Sequence, residues 1–464
     1  MEDCVFMNRE IKLILGVAPV KRGPGFTSAE NALIFKNKTF EALKKIEGNV
    51  EIINIDGVVP DGIITGPEQV FAAADYLKSK KADALFIPHT DFGPEEAVAK
   101  IGKEMGLPVL LWGPRDDAPN GEGIRIRDTQ CGVLASSKVL SRFGVKFTYI
   151  ENCNPEDAVF FNGLNDFCRT AAVIKMFKNM RILKIGDRPS AFFSVMYNED
   201  ELLSKFGIEV CPLSVGRLAG GVNKIKEKNP PELKAQIESM KNRIGISELG
   251  EEKLKTLAAM IIFIKNEMDA GNFAGASTEC WTGLGELMGV LPCQLIGELT
   301  AVGYPVACEG DICGAVTSVM LHAANYNKSP SFFADLTIRH PENDNAELLW
   351  HCGPFPRSLM GDTKNPFIDN GGRGNWELKA GDLTIGRFDS INGEYSMFLG
   401  ESKTCAGPKT TGTYVWMETE NWVKWEKKIV EGPYIHHVAG IYGKYAGVLA
   451  EACKYIPNLK ADPV

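Results

Sequence analysis

The sequence predicts an α/β protein: two doubly wound α/β domains followed by a mainly β, barrel-like C-terminal domain. In the first two thirds, short apolar runs alternate with longer amphipathic segments, which is typical of strands and helices in a parallel sheet. In the last third, β-branched and aromatic residues alternate with polar ones between glycines, which is typical of antiparallel hairpins. A chain of 464 residues exceeds what one hydrophobic core usually supports. We therefore expect an N-terminal α/β domain at 1–172, a central α/β domain at 173–328 and a β domain at 329–464.

The N-terminal domain shows strand-like runs that each end in Gly, Pro or Asp: KLILGVAP (12–19), VEIINI (50–55), ADALFIP (82–88) and LPVLLWGP (107–114). Amphipathic stretches between them, at 28–47 and 94–106, predict helices, and Ser28 is a suitable N-cap. The loops after parallel strands gather on one edge of the sheet, where such folds bind ligands. None of these loops is a glycine-rich phosphate-binding motif, so nucleotide binding is disfavoured.

The central domain has strand-like runs at 181–187 and 207–215, helical segments over 230–268, and a stretch of small residues, 271–285, that indicates a loop. The next segment is PVACEGDICGAV, 305–316, in which a strand should pass into a helix. The acidic residues Glu309 and Asp311 interrupt this apolar run. Beyond it, 383–401 and 411–422 predict hairpin strands.

Composition excludes several classes of partner. The net charge is −8 and the pI is near 5.5, which disfavours nucleic acid and anionic membrane surfaces and favours a small molecule. No run of about 18 apolar residues occurs and the first ten residues lack a signal-peptide core, so we expect a cytoplasmic protein. The twelve cysteines are scattered without a CxxC pair, which indicates reduced thiols that mostly fill the core.

Histidine placement indicates a metal site. Five of the six histidines fall in the last third of the chain, together with Glu309 and Asp335: His322, His340, His351, His436 and His437. A single histidine is usually a packed or surface residue, but several close to carboxylates favour a metal centre. A mixture of carboxylate and imidazole ligands suits Mn²⁺ or another divalent cation better than thiolate-bound zinc.

Several segments resemble the L-fucose isomerase and L-arabinose isomerase family of aldose–ketose isomerases: ASTECW, LPCQLIGELTAVGYPVACEGDICGAVTSVML, FFADL, ELLWHCGPFP and PYIHHVAGIYG. The resemblance is strongest over 276–360 and near 430–457. Carried over residue by residue, it implies that Glu309, Asp335, His351 and one histidine of the 436–437 pair, with His437 favoured, bind the metal. It also implies that Glu309 and Asp335 are the catalytic acid/base groups.

Such a site would interconvert an aldose and a ketose through a cis-enediol, because carboxylates can move protons while a divalent cation stabilises charge on the two substrate oxygens. The sugar stays open: fucose, arabinose, another deoxy or pentose sugar, or a hexose with an acidic C6 group, for which Lys21, Arg22 and Arg169 offer positive charge. The alternative function is a non-catalytic sugar-binding or sensor protein, which would hold no stoichiometric metal.

Other polar residues have a structural interpretation beside the functional one. Asp311 is expected to begin a helix rather than to bind the metal. His322 is expected to be packed or on the surface, and His340 to be solvated in a loop. Trp281 is either a stacking wall for a sugar or plain core, and Glu279 is a weaker candidate for binding sugar hydroxyls.

The resemblance also implies a homo-oligomer, a hexamer, in which the N-terminal domain of one subunit covers the active site of another. Arg22 and His89, in two of the N-terminal loops, are then the candidates for reaching a neighbour's sugar. The alternative is that Arg22 is a surface residue and that His89 merely ends a strand.

Overall fold

The computed structural model describes residues 9–23, 27–243, 248–280 and 283–464. The chain divides into two compact units, Glu10–Lys175 and Met176–Val464, and the second also takes in Arg9. No helix in these described ranges combines the length and apolar character needed to cross a lipid bilayer.

The N-terminal unit contains a five-stranded parallel sheet in the order β2-β1-β3-β4-β5. Its strands are β1 (Lys12–Val17), β2 (Asn49–Ile53), β3 (Ala84–Pro88), β4 (Val109–Trp112) and β5 (Phe147–Tyr149). The helices are α1 (Ala29–Leu43), α2 (Val70–Ser79), α3 (Glu95–Met105), α4 (Thr129–Arg142) and α5 (Ala158–Phe177), which leads out of the unit. Every residue of β3 and β4 is buried, as expected for central strands covered on both faces. Ser28 is the N-cap of α1, as predicted: its side chain accepts the Asn31 N–H.

The second unit begins with a four-stranded parallel sheet in the order β7-β6-β8-β9. Its strands are β6 (Arg181–Ile185), β7 (Glu209–Leu213), β8 (Gly275–Thr278) and β9 (Val306–Ala307). The helices are α6 (Glu199–Phe206), α7 (Val215–Lys228), α8 (Pro231–Arg243), α9 (Glu251–Ala270), α10 (Gly283–Met288) and α11 (Cys293–Ala301).

The interpretation of 271–285 as a loop is wrong where β8 lies within it. All four residues of β8 are buried, and a Cβ on Gly275 would approach Val319 Cγ2 to 2.7 Å. The residues are small because the strand packs closely against the helix behind it, so composition resembled that of a loop.

The C-terminal part forms a closed six-stranded barrel in the order β16-β11-β10-β17-β14-β15, with β15 pairing back to β16. The strands from here to the end of the chain are β10 (Phe332–Arg339), β11 (Ala346–His351), β12 (Phe367–Ile368), β13 (Gly374–Glu377), β14 (Asp382–Ile391), β15 (Glu394–Cys405), β16 (Thr413–Glu418), β17 (His437–Tyr442) and β18 (Leu459–Pro463). The hairpin between β14 and β15 turns at Asn392 and Gly393, both with positive φ, as such tight turns require. The predicted fold class is confirmed.

Helix α12 (Ile312–Ala324) joins the central sheet to the barrel, and the remaining helices are α13 (Trp422–Glu431) and α14 (Ala446–Tyr455). All residues of α12 are buried, and the helix packs against β8 and β9 on one side and β14 and β17 on the other. Because sheet and barrel share this helix within one compact unit, the division of that unit at residue 328 stays a prediction.

Candidate active site

A tight turn at the carboxyl end of β9 positions Glu309. Both Glu309 (φ 60°) and Gly310 (φ 71°) are left-handed, a conformation that is costly for a glutamate and is held here by its neighbours. The Gly310 N–H donates to the Thr278 carbonyl at 3.1 Å. A Cβ on Gly310 would lie 2.7 Å from the Arg188 Cα, so only glycine fits.

The barrel brings Asp335 and His437 to the same place. Asp335 of β10 lies directly opposite His437 of β17 in the antiparallel register. His437 Nε2 lies 3.1 Å from Glu309 Oε2 and 3.4 Å from Asp335 Oδ1. Three of the predicted site residues therefore meet around one ring nitrogen.

A second aspartate fixes the His437 ring. His437 Nδ1 lies 2.9 Å from Asp311 Oδ2, and Asp311 is also the N-cap of α12, accepting the Gly314 N–H at 2.7 Å. The buried Arg387 forms an ion pair with the same Asp311 and another, at 2.8 Å, with Asp389. Because a carboxylate accepts, Nδ1 carries the proton, and Nε2 turns its lone pair towards Glu309 and Asp335 in the neutral ring.

The charges at this site are held by their partners. Burial alone would raise the pKa of Asp311, but Arg387 and His437 outweigh it and hold that pKa well below its usual range. Burial alone would lower the pKa of His437, but the hydrogen bonds to Asp311 and Glu309 raise it above the ordinary value. These pKa shifts favour an ionised Asp311 and a protonated His437, and a cation bound at Nε2 would take the place of that second proton.

The described residues fit a divalent cation. Asp335, His436 and His437 each offer one ligand atom, and these atoms lie within 4.8 Å of one another. Asp335 Oδ1 is a buried oxygen that accepts no hydrogen bond from the described chain. A neutral His437 would present Nε2 as an acceptor to two carboxylate oxygens, a repulsive arrangement that a cation among them would relieve. Carboxylate and imidazole together suit Mn²⁺, Fe²⁺ or Zn²⁺.

His351 lies close to this cluster but is held differently. Its ring centroid is 6.5 Å from that of His437, and its buried Nε2 has no hydrogen-bond partner within the described ranges. Nδ1 accepts the Cys352 backbone N–H at 2.9 Å, which places the proton of a neutral ring on Nε2. Burial opposes a charged ring, but Cys352 and Asp335 raise the pKa of His351 to about 10. A ligand role through Nε2 requires that proton to be lost, so that role stays a prediction.

The choice between the two adjacent histidines also stays a prediction. The rings of His436 and His437 are 4.3 Å apart, and His436 is exposed whereas His437 is fully buried. Burial and the neighbouring His437 lower the pKa of His436, which favours the neutral form that binds a metal.

Glu279 supports the loops of the site. It is buried at the carboxyl end of β8, where Oε1 accepts the Leu284 N–H and Oε2 accepts the Asp187 N–H, both at 3.2 Å. These contacts hold the turn after β6 and the start of α10, so binding of sugar hydroxyls stays a prediction. Trp281 lies outside the described residues.

The other two predicted substrate-binding residues lie in the N-terminal unit. The loops after β1 and β3 adjoin there, as predicted, through a bridge between Val20 and His89. The Arg22 backbone N–H donates to Asp91 at 2.8 Å, and its guanidinium lies 4.5 Å from the centroid of the Phe92 ring. His89 is buried, with Nδ1 3.1 Å from the Phe92 carbonyl oxygen, and burial lowers its pKa to about 4. Their role towards a neighbouring subunit stays a prediction.

Of the remaining histidines, His322 matches its structural interpretation, whereas His340 lies in a loop as expected but is half-buried rather than solvated. His322 is packed within α12: Nε2 accepts the Ser331 N–H at 2.9 Å and Nδ1 lies 2.9 Å from Asn327 Oδ1. His340 lies in a loop, half-buried, and its Nδ1 accepts two backbone N–H groups. Every cysteine in the described part of the chain is a free thiol.

Sequence reasoning missed Arg387 and the second role of Asp311. Asp311 begins a helix, as predicted, but it also orients His437. A signal for Arg387 was present: Arg387 and Asp389 are opposite charges two residues apart in a strand, so their side chains face the same side, and both are buried.

Carboxylates and imidazoles thus lie together where the central parallel sheet meets the barrel, and these are the residue types that acid–base enzymes use. A family model described as "Fucose/sulfoquinovose isomerase, N-terminal domain" matches residues 16–178, and one described as "L-fucose isomerase, C-terminal domain" matches residues 364–458. The chain belongs to the fucose isomerase-like family of aldose–ketose isomerases.

Individual relatives agree. The chain is 25% identical over 432 residues to a sulfoquinovose isomerase of Priestia aryabhattai, covering 91% of this chain and 93% of the relative. It is 22% identical over 351 residues to a sulfoquinovose isomerase of Alkalicoccus urumqiensis, covering 74% and 77%. A solved periplasmic solute binding protein of Actinobacillus succinogenes with bound D-allose covers 68% of this chain and 93% of its own, at 13% identity and a TM-score of 0.18, too low to support an argument.

Proposed function

We propose that this protein is a divalent-metal-dependent isomerase that converts an aldohexose with an anionic C6 group into its 2-ketose. The observation that carries the proposal is the meeting of Glu309 and Asp335 within 3.4 Å of one buried imidazole nitrogen. Two carboxylates so placed can take a proton from one carbon and return one to its neighbour.

The residues divide the work as follows. Glu309 and Asp335 carry the proton between C2 and C1 through a cis-enediol. His437, which is oriented by Asp311, positions the two carboxylates relative to the sugar. The proposed metal ligands are Glu309, Asp335, His351 and His437. A divalent cation held there, which we take to be Mn²⁺, would polarise the two substrate oxygens and acidify the C–H bond. The left-handed backbone at Glu309 fixes the direction of its side chain before substrate arrives.

The names of the relatives support the substrate class. Both are called sulfoquinovose isomerases, and sulfoquinovose is a glucose analogue with a sulfonate on C6. Of the sugars that the sequence left open, the C6-acidic hexose therefore has the most support.

The test compares sugars that differ at C6 or in chain length. Purified protein, stripped with a chelator and reloaded with Mn²⁺, is incubated with sulfoquinovose, D-glucose, L-fucose and L-arabinose, and ketose is measured by NMR. After reloading, and not before, we expect ketose from sulfoquinovose. In D₂O we expect deuterium at C1 of that ketose, and at C2 of the aldose that forms in the reverse reaction. Ketose formation by chelator-treated protein would contradict the metal requirement, and no ketose from any sugar would contradict the function.

We further propose a cytoplasmic hexamer in which Arg22 and His89 of one subunit contact the sugar of another. The support is the family resemblance and the position of both residues at a sheet edge that commonly binds ligands. The test mixes Arg22→Ala with Glu309→Gln subunits after dissociation. Recovered activity supports a shared site, whereas reassembled but inactive mixtures contradict it.

A further inference from the structure

A cleft of about 330 Å³ lies beside the catalytic turn, within the second unit. It is lined by Gly310, which directly follows Glu309, and by two cationic side chains, Lys184 and Arg188, with Tyr197 on its wall. The strands β6 and β9 end here, so the cleft lies at the carboxyl edge of the central parallel sheet, where such sheets bind ligands.

The turn that carries Arg188 is held on both sides. Glu279 Oε2 accepts the Asp187 N–H at 3.2 Å, and the Arg188 Cα packs against Gly310. A Cβ on Gly186, which has φ +69°, would lie 2.4 Å from Glu279 Oε2. The backbone of Arg188 is therefore fixed relative to Glu309 before any ligand binds. Because the residue is already ordered, less conformational entropy is lost when it binds an anion.

The Arg188 side chain is also oriented. Its Nη1 donates to the carbonyl oxygens of Pro189 at 3.1 Å and Ser190 at 2.9 Å, and the guanidinium lies 5.3 Å from the centroid of the Phe193 ring. These contacts use one nitrogen of a planar group with five N–H donors, which leaves further donors for an oxyanion.

Lys184 adds a second positive charge, whose present partner can be replaced by an anion. Its Nζ pairs with Asp187 Oδ1 at 2.8 Å, but the Asp187 side chain is 85% exposed. A pair of this kind contributes little and is readily exchanged for a competing anion. The cleft thus offers two cations and a phenol beside Gly310, the residue that directly follows Glu309.

We propose that Arg188 and Lys184 form the subsite for the oxyanion, a sulfonate or similar group, on C6 of the sugar. This inference rests on the proposed function, because it takes Glu309 as the end at which C1 and C2 bind. It adds a specificity-determining pair from the central domain, separate from Arg22 of the N-terminal unit.

The first test measures specificity. Arg188→Met should lower kcat/KM for sulfoquinovose relative to that for D-glucose by about 10- to 100-fold, mainly through KM, since a charge-assisted contact is lost. Arg188→Lys should recover part of the ratio. Arg217→Met is the matched control, because Arg217 is an exposed arginine on α7 that pairs with Glu267 and does not line the cleft. An unchanged ratio in Arg188→Met overturns the subsite.

The second test does not depend on turnover. The reduced sugar alcohol of sulfoquinovose is titrated by calorimetry into Glu309→Gln protein, with and without Arg188→Met or Lys184→Met. We expect about 10-fold weaker binding for each cleft variant and no such loss for the unsulfonated alcohol, glucitol. Equal binding by all proteins overturns the subsite, while wild-type protein without isomerase activity contradicts the proposed function alone. If Arg188→Met does not fold, Lys184→Met gives the same decision.

Discussion

Buried histidine and aspartate residues occur together in two regions of the molecule, with opposite electrostatic outcomes. In the N-terminal unit, burial lowers the pKa of His89 to about 4 and raises the pKa of Asp91 against the N–H groups of Arg22 and Gly93. At the barrel, the pKa of His437 is raised and that of Asp311 is lowered, because partners outweigh burial.

The difference lies in the partners. His89 contacts a backbone carbonyl, whereas His437 contacts a carboxylate that is itself paired with Arg387. Burial alone favours the neutral form of a titratable group. A buried group stays charged only when an opposite charge is fixed beside it. Asp311 therefore stays ionised beside His437, whereas His89 stays a neutral hydrogen-bonding ring.

Loss of the Glu309 carboxylate should have the strongest effect on activity. Glu309→Gln should lower kcat by about 10²- to 10⁴-fold and weaken Mn²⁺ binding while the fold stays intact, because an oxygen charge and a proton carrier are lost. Steady-state kinetics and calorimetric Mn²⁺ titration measure both, and Glu342→Gln in an exposed loop is the control. Activity above about a tenth of wild type would contradict the assignment.

Removal of single histidines should weaken metal binding at some positions and not at others. His437→Ala and His351→Ala should each weaken Mn²⁺ binding by about 10-fold or more, since each loses a proposed ligand. His322→Ala and His340→Ala, whose ring nitrogens contact other protein groups, should leave the affinity unchanged. If His436→Ala weakens binding and His437→Ala does not, the choice within the pair is wrong.

Asp311→Asn removes the carboxylate charge that contacts both His437 and Arg387, which the region around His89 lacks. The amide oxygen can still cap α12, but His437 and Arg387 lose their shared charge, so we expect about 10- to 100-fold lower metal affinity or activity. Asp389→Asn is the matched control, because Asp389 also contacts Arg387 while its described contacts do not include His437. Equal losses in both variants would show that the Arg387 charge balance, and not histidine orientation, is responsible.

Burial without a fixed opposite charge also affects stability at Glu347, which lies outside both regions. Glu347 is buried on β11, and burial, with Glu426 nearby, raises its pKa to about 7 from 4.5. The folded state therefore favours the protonated acid, and stability falls as pH rises from 4.5 through 7. Glu347→Gln should stabilise the protein by roughly 3 kcal/mol at pH 8 and by much less at pH 5 in urea titrations. Glu426→Gln should give part of that gain. An equal gain from Glu347→Gln at pH 5 and pH 8 would show that the raised pKa of Glu347 is not its cause.

The sequence allowed prediction of the elements whose side chains follow a strong period. Helix α12, the β14–β15 hairpin and most of the parallel strands follow from apolar patterns and turn residues, namely β1–β4, β6, β7 and β9. The small-residue strand β8 did not, since its identity comes from close packing against α12. Within the site, Glu309 stood out as an acid in apolar surroundings, and Asp335 followed from the family resemblance. The contact between Asp311 and His437 spans 126 positions and depends on register that composition does not encode.

The shared position of α12 has a consequence for how the protein gains activity during folding. Glu309 and Asp311 precede this helix, while Asp335, Arg387 and His437 belong to strands that close the barrel against it. Neither the sheet nor the barrel alone holds a complete set of groups. Catalytic competence therefore requires both the sheet and the barrel to be packed on α12, so loosening either contact surface would separate the carboxylates from the imidazole.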